Sequence, residues 1–140
     1  MSTEANKAAF RRIPEDIFNT GNVELADALF AADYVEHITT PPGTPTGVAG
    51  FKAYVTMVRA AFPDLHLTVE TELAEGDMVA GHITVSGTHQ GEFMGIPATG
   101  AHATWTETHI GRYENGKLVE HWGNGDDFGM MQQLGAIPSP

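Results

Sequence analysis

The sequence predicts an α+β fold in which three N-terminal helices cover a strongly bent antiparallel sheet of about four strands. The apolar residues recur at helical spacing within residues 4–61 and alternate with a period of two from residue 65 onward. Turn sequences, AEGD at 74–77 and ENG at 114–116, separate the alternating segments. Helices followed by strands are typical of an α+β domain, and a sheet curled into a cone buries both apolar sets.

Helices are predicted over residues 4–20, 23–31 and 48–61 from their loose apolar stripes. Pro14 interrupts the first of them. Either the helix kinks there, or a second helix begins with Pro14 at its first position. The residues TGN at 20–22 combine a stop with an Asn cap, which separates the first helix from the second.

The remaining elements are extended. Residues 34–38 form a short extended segment, which a loop rich in Pro and Gly follows. Four strands are predicted, over residues 65–73, 78–93, 101–113 and 117–122. Gly81 and Gly87 predict bends or bulges in the second strand. The apolar segment FGMMQQLG closes the chain as a final helical turn.

The composition indicates one folded domain over residues 1–140. Apolar residues make up 41% of the chain and charged residues 18%, as in globular proteins. The net charge of -11 argues against nucleic acids and anionic membranes as partners, since such a surface repels phosphates. The N-terminal residues lack the apolar core of a secretory signal, and the chain has no cysteine, which together predict a cytoplasmic location.

The last two strands carry polar and aromatic residues where an aliphatic core would carry Val, Ile and Leu. Trp105, Glu107 and His109 share one face of the third strand. On the fourth strand and its continuation, the residues of one parity are Glu120, Trp122, Asn124 and Asp126. The ENG turn places the two strands side by side, and we expect these two sets on one concave face. Such a face predicts a ligand cavity or a dimer interface.

Asp126 and Asp127 admit two interpretations. A carboxylate inside a cavity is desolvated, so its pKa rises toward the range useful for general acid or base catalysis. Both acids also precede the apolar segment at 128–135, where one of them can cap a helix. The two interpretations are compatible if Asp127 caps the helix and Asp126 points inward, so the direction of the Asp126 side chain is the test.

Other chemistries find no support in the sequence. Seven histidines are present without an HExxH motif, and His82 and His89, seven residues apart, fall on opposite faces of a strand. No GxSxG, GxGxxG or P-loop motif occurs. We therefore expect neither a metal nor an organic cofactor.

Two segments carry a resemblance to a known family: GTHQGEFMGIPATG (87–100) and GRYENGKLVEHWGNGDDFGMMQQLG (111–135). The segments DYVEHITTPP and GFKAYVTMVRAAFPDLHLTVE fit the same pattern. With these motifs the chain resembles the SnoaL-like polyketide cyclases and ester cyclases of the nuclear transport factor 2-like superfamily. The resemblance implies an α+β cone with a deep apolar cavity, no cofactor, and a homodimer or larger oligomer. Cyclases of this kind close a ring by an intramolecular aldol reaction in which an aspartate moves the proton.

The resemblance also implies roles for individual residues. The aspartate four residues after the motif's tryptophan is Asp126, which becomes the expected acid and base, and His109 is expected to bind the substrate oxygen or orient the acid. The residues expected to contact a small hydrophobic carbonyl substrate are Tyr34, His37, His82, Phe93, Met94, Trp105, Glu107 and Trp122.

Two alternatives stay open at this point. The same cone can serve as a non-catalytic binding protein or a dimeric scaffold, in which no carboxylate reaches the bound ligand. Epoxide hydrolysis would need an acid pair with an arginine between them. Arg112 is the only arginine near the fourth strand, and it has the opposite parity to His109.

Overall fold

The computed structural model describes residues 2–138 as a mixed five-stranded sheet with helices packed against one face. The strands are β1 (Phe30–Glu36), β2 (His66–Glu75), β3 (Met78–Thr88), β4 (His102–Glu114) and β5 (Lys117–Gly125). Their order is β1-β5-β4-β3-β2, with β1 parallel to β5 and the other pairs antiparallel. The predicted α+β class is confirmed, and the sheet has five strands where about four were predicted.

The helices are α1 (Thr3–Arg12), α2 (Ala26–Leu29), α3 (Gly47–Ala61) and α4 (Asp127–Leu134). Instead of kinking or restarting at Pro14, α1 continues into a π-helical turn over Ile13–Phe18. The Asn19 N–H donates to the Pro14 carbonyl at 3.0 Å, which is a step of five residues. Because Pro14 has no N–H group, the α-helical ladder loses one bond there, and the wider turn absorbs the loss. In the described part of the chain, no helix has the length and apolar character needed to cross a membrane.

The second predicted helix is shorter than the sequence indicated. A 3-10 turn at Val23–Leu25 leads into α2, which ends at Leu29, and the chain enters β1 at Phe30. Residues 30–31 were therefore wrongly predicted as helical. Their partner strand, β5, lies near the other end of the chain, and its pairing overrides the local helical spacing.

Gly81 and Gly87 do not form the predicted bulges, because β3 pairs with β4 in unbroken register through both positions. They give space to aromatic rings instead. A Cβ atom at Gly81 would lie 2.4 Å from the Phe10 ring, and one at Gly87 would lie 2.9 Å from Cβ of Phe62. These contacts bring the helical layer against the sheet. We call the face that the helices cover the inner face and the opposite one the outer face.

The one bulge in β5 falls at Val119. Tyr113 of β4 pairs with Leu118 and Arg112 pairs with Glu120, so Val119 is an extra residue without a partner on β4. A second bulge interrupts β2 opposite β3.

The turn between β4 and β5 and the helix at the end of the chain both lie where the sequence predicted them. Asn115 and Gly116 both have positive φ, 51° and 77°, as a tight turn joining β4 and β5 requires. The final apolar turn is an eight-residue helix, α4. The Gln133 side chain accepts from the Thr104 N–H and donates to its carbonyl, both at 2.7 Å. Helix α4 therefore lies along the edge of β4 beyond the end of β5.

Candidate active site

The bulge at Val119 decides which residues of β5 lie on the inner face. Beyond it His109 pairs with Gly123, and paired residues on neighbouring strands point to the same face. His121 and Gly123 thus share the inner face with His109. Uninterrupted alternation from the turn would have placed Trp122 there, because a shift of one residue exchanges the two faces.

Four side chains on the inner face form a continuous hydrogen-bonded chain. Glu107 Oε1 lies 2.8 Å from His109 Nε2, and His109 Nδ1 lies 2.9 Å from His121 Nε2. His121 Nδ1 lies 2.9 and 2.7 Å from the two carboxylate oxygens of Glu36. The Trp105 indole N–H donates to the other oxygen of Glu107 at 2.9 Å. We call Glu107, His109, His121 and Glu36 the inner chain.

Glu107 is held as a carboxylate in this position. Its side chain is 22% exposed, and burial alone would raise its pKa. The hydrogen bond and charge of His109, with the bond from Trp105, outweigh burial and hold the pKa of Glu107 below its ordinary value. The inner chain therefore contains an ionised carboxylate beside an imidazole near neutral pH, an arrangement that can accept and pass a proton.

The prediction that Asp127 caps the last helix while Asp126 points inward is wrong. Asp126 is the N-cap of α4, and its carboxylate accepts from the Gly129 N–H at 3.0 Å. Its own N–H donates to the Thr106 carbonyl at 2.9 Å. The parity prediction for Asp126 was made without the bulge at Val119, which turns that whole set of residues outward. The catalytic role of Asp126 stays a prediction.

Asp127, rather than Asp126, lies beside Glu107. A Cβ atom built on Gly125 would be 3.1 Å from Cγ of Glu107 and 3.3 Å from Oδ1 of Asp127, so both carboxylates flank this glycine. Burial, followed by the charges of Glu107 and Asp126, raises the pKa of Asp127. Desolvation, followed by the charges of Glu107 and Asp127, also raises the pKa of the Tyr54 hydroxyl on α3, a residue that is 39% exposed as a whole. Tyr54 and Asp127 thus form a polar rim around Glu107.

His37 and Trp122 lie on the outer face, so their predicted place in one cavity with His109 is wrong. Their rings stack with centroids 4.8 Å apart and planes 6° apart. His37 Nε2 lies 2.6 Å from Glu120 Oε2, and Arg112 donates to the other oxygen of Glu120 at 3.0 Å. Arg112 also donates to Glu114 at 2.8 Å, so it bonds two acids on the outer face and does not contact Glu107, whose carboxylate bonds His109 and Trp105 on the inner face. Substrate contact by His37 and Trp122 stays a prediction.

His82 also points to the outer face, where its Nδ1 lies 3.0 Å from Thr108 Oγ1. It nevertheless shares a hollow of about 170 Å³ with Glu107 and Asp126. The complete lining of this hollow is His82, Thr106, Glu107, Thr108, Asn124, Gly125 and Asp126. Three predicted residues are therefore brought together, around a space smaller than the roughly 300–1,000 Å³ of most ligand pockets.

A larger hollow of about 450 Å³ lies between α3, β1 and the start of β5, and it contains none of the predicted site residues. Its lining is Asp27, Phe30, Ala32, Thr46, Gly47, Val48, Ala49 and Lys117.

The remaining predicted contacts divide between the core and the surface. Tyr34 is buried edge-to-face against Phe30, with centroids 4.9 Å apart. Burial, followed by the charge of Glu36, raises the pKa of the Tyr34 hydroxyl. Phe93 is buried, whereas Met94 is 52% exposed. Tyr34 and Phe93 therefore have the burial expected of cavity wall, as Trp105 does, and Met94 does not.

The sequence analysis did not select Glu36, His121 or Tyr54 for the site, and it expected Asp127 to be the helix cap. Glu36 had a usable signal, since it lies two residues from Tyr34 in an extended segment and thus shares its face. His121 and Asp127 depend on the bulge, which the sequence does not reveal. Among the residues that the structure describes, no three or more His, Cys, Asp or Glu side chains are grouped so that they could hold a metal ion.

Comparison with known proteins identifies the family of the chain. A family model described as SnoaL-like polyketide cyclase matches residues 8–134. Nogalonic acid methyl ester cyclase of Streptomyces nogalater is 31% identical over 84% of this chain and 89% of its own length. Aklanonic acid methyl ester cyclase DnrD of Streptomyces peucetius is 33% identical over 96% of this chain and 92% of its own.

Solved structures show the same fold. TsrD of Streptomyces laurentii superposes with a TM-score of 0.88 at 26% identity, over 98% of this chain and 99% of that one. IdmH of Streptomyces antibioticus, a candidate polyketide cyclase, superposes with a TM-score of 0.80 at 34% identity, over 93% and 98% of the two chains. The chain belongs to the family of SnoaL-like polyketide cyclases.

Proposed function

We propose that this protein is a cofactor-independent cyclase that closes a ring in a polyketide ester by an intramolecular aldol reaction. The observation that carries the proposal is the hydrogen-bonded pair of Glu107 and His109 on the inner face, beside the buried Trp105. The relatives' names, each a cyclase of a methyl ester, support a polyketide methyl ester as the substrate class.

The reaction needs one base and one acid close together. Ionised Glu107 accepts the proton from an activated carbon next to a carbonyl, and the resulting enolate carbon attacks a second carbonyl of the same molecule. One carbon–carbon bond forms, the new alkoxide takes a proton from His109, and the proton on Glu107 then passes to His109, which restores both groups. The product is an isomer of the substrate, so the step requires no oxidant or reductant. A positioned base of this kind contributes about 10²- to 10⁴-fold to the rate.

Glu107→Gln tests this assignment, because the amide keeps the size of the side chain but cannot accept the proton. With nogalonic or aklanonic acid methyl ester as the probe, we expect kcat/KM to fall by about 10²- to 10⁴-fold. Glu70→Gln is the matched control, since Glu70 is exposed at the bulge of β2, and it should leave kcat/KM unchanged. Retained activity in Glu107→Gln overturns the assignment.

The same assay separates this proposal from the predicted catalytic role of Asp126. Asn caps a helix about as well as Asp, so Asp126→Asn keeps α4 and removes only the acid. We expect nearly full activity. Loss of turnover in Asp126→Asn, together with activity in Glu107→Gln, would assign the proton transfer to Asp126 instead. Saturable binding of both esters by the unaltered protein without turnover would indicate a binding protein.

We also propose that the protein acts as a homodimer that joins two sheets by their outer faces. The outer face carries a row of successive cross-strand partners across four strands, namely Leu73, Ala80, Ile110 and Trp122. Leu73 is 69% exposed. An apolar row can pair with its own copy across a two-fold axis. We further propose that residues 1–140 act as one domain in the cytoplasm, where the lack of cysteine is ordinary.

A further inference from the structure

The inner chain continues past the pair that the proposed function uses. Beyond His109, the contacts to His121 at 2.9 Å and then to Glu36 at 2.7 Å are close in length to the 2.8 Å contact of Glu107. The two imidazole centroids are 5.1 Å apart with planes only 15° apart, while the facing nitrogens are 2.9 Å apart. The rings therefore meet end to end, as an in-plane lone pair requires. Glu36 lies on β1, the edge strand of the sheet, and its side chain is 26% exposed.

The number of protons in the inner chain shows that its four side chains depend on one another. Its three contacts, Glu107–His109, His109–His121 and His121–Glu36, each need one proton, because two facing lone pairs repel. Two neutral imidazoles carry only two protons. With both glutamates ionised, the two histidines must therefore share a third proton, and it lies between the rings. With both imidazoles neutral, one glutamate carries the third proton instead, and moving each of the three protons across its own hydrogen bond transfers the protonated state from Glu107 to Glu36.

We propose that Glu107, His109, His121 and Glu36 form a proton relay that carries a proton between the inner face of the sheet and solvent at the β1 edge. When Glu107 has accepted a proton and both imidazoles are neutral, the proton on Glu107 passes to His109 Nε2, the proton between the rings passes to His121, and the proton on His121 Nδ1 passes to Glu36, which releases it. One O–H and two N–H bonds break, two N–H and one O–H bond form, and the donor and acceptor of each hydrogen bond exchange roles. Glu36 and His121 are then positioning residues that act on the substrate through His109.

Other titratable groups face the two ends of the relay. Tyr34 lies beside Glu36, and Tyr54 and Asp127 lie beside Glu107. The raised pKa of each tyrosine keeps it neutral in the range where histidine titrates. Asp127 is therefore the additional acid whose titration could overlap with the relay at its inner end, and Asp127→Asn removes it.

The first test needs no substrate. In protein with ¹⁵N-labelled histidine rings, we expect NMR to show His109 and His121 titrating with shared apparent midpoints, as coupled groups do. Glu36→Gln can still accept the bond from His121 but cannot take its proton, so it should change the ring signals of His109 as well as those of His121. Glu70→Gln should change neither. The relay is overturned if His109 and His121 titrate with independent midpoints in both the unaltered protein and Asp127→Asn. It is also overturned if Glu36→Gln leaves the ring signals of His109 unchanged.

The second test rests on the proposed cyclase activity. Glu36→Gln should lower kcat by at least about tenfold with KM unchanged, and it should shift the pH profile of kcat. A structural role of Glu36 alone would not move that profile. Unchanged kcat at every pH in Glu36→Gln overturns the relay. Absence of turnover in the unaltered protein would instead count against the proposed function, and the NMR result would still decide the relay.

Discussion

Gly123 determines whether the two histidines of the inner chain can meet. A Cβ atom at this position would lie 2.7 Å from His109 Nδ1 and 3.0 Å from Cδ1 of Ile38. The first distance is shorter than carbon and nitrogen tolerate without a shift. The atom in conflict is the one that faces His121. A glycine opposite His109 is therefore part of the site although it contributes no side chain.

Gly123→Ala should push the His109 ring out of line with His121 and strain the packing beneath it. We expect a loss of about 1–3 kcal/mol in the free energy of unfolding, which is typical of overpacking. Urea titration measures it, with Asn124→Ala, on the neighbouring exposed residue, as the control. The coupled NMR titration of the two histidines should disappear in Gly123→Ala only. Unchanged stability together with a preserved coupled titration would contradict this account of Gly123.

At the scale of the element, β4 was predictable and β5 was only partly so. Alternation along β4 correctly placed Trp105, Glu107 and His109 on one face. On β5 the sequence also predicted the pairing near the turn, and it predicted that Glu120, Trp122 and Asn124 share one face. The bulge was not predictable, because Val119 is as good a strand residue as its neighbours. Because of this one unpaired residue, His121 lies on the inner face, and Glu120, Trp122 and Asn124 lie on the outer face.

The first strand was predicted only in part, as the extended segment at residues 34–38, and for a different reason. Its sequence, FAADYVE, does not alternate clearly, and its pairing with β5 joins Phe30 to Leu118 and Glu36 to His121. Partners so distant in the chain leave no local signal. The consequence reaches the site, since Glu36 completes the inner chain only through this pairing.

The start of α4 gives a direct test of which aspartate is the cap. Asp126→Ala should cost about 1 kcal/mol of stability, because the Gly129 N–H loses its partner, while Asp126→Asn should cost little. Asp127→Ala should not destabilise, since burial and neighbouring acids disfavour its charge in the folded state. Urea midpoints at neutral pH measure all three. A larger loss from Asp127→Ala than from Asp126→Ala would restore the assignment made from the sequence.

At the scale of the whole molecule, the two faces of the sheet have different tasks. The inner face holds the acids and histidines among the aromatic rings of the core, under the N-terminal helices. The outer face carries threonines, paired charges and the apolar row that ends at Trp122. A site buried on one side leaves the other side free for association, so dimerisation through the outer face would leave access to the inner chain unchanged.

The apolar row makes the proposed dimer testable with a matched pair of variants. Leu73 and Phe128 are almost equally exposed, at 69% and 67%, but Leu73 lies in the row and Phe128 lies on α4. Leu73→Arg should convert the dimer to a monomer in analytical ultracentrifugation, because it buries an unpaired charge within the contact. Phe128→Arg should leave the dimer intact.

Each chain carries a net charge of -11, so added salt should strengthen the association by screening the repulsion between the two copies. A monomer in the unaltered protein, or a dimer that survives Leu73→Arg, would exclude the outer face as the interface.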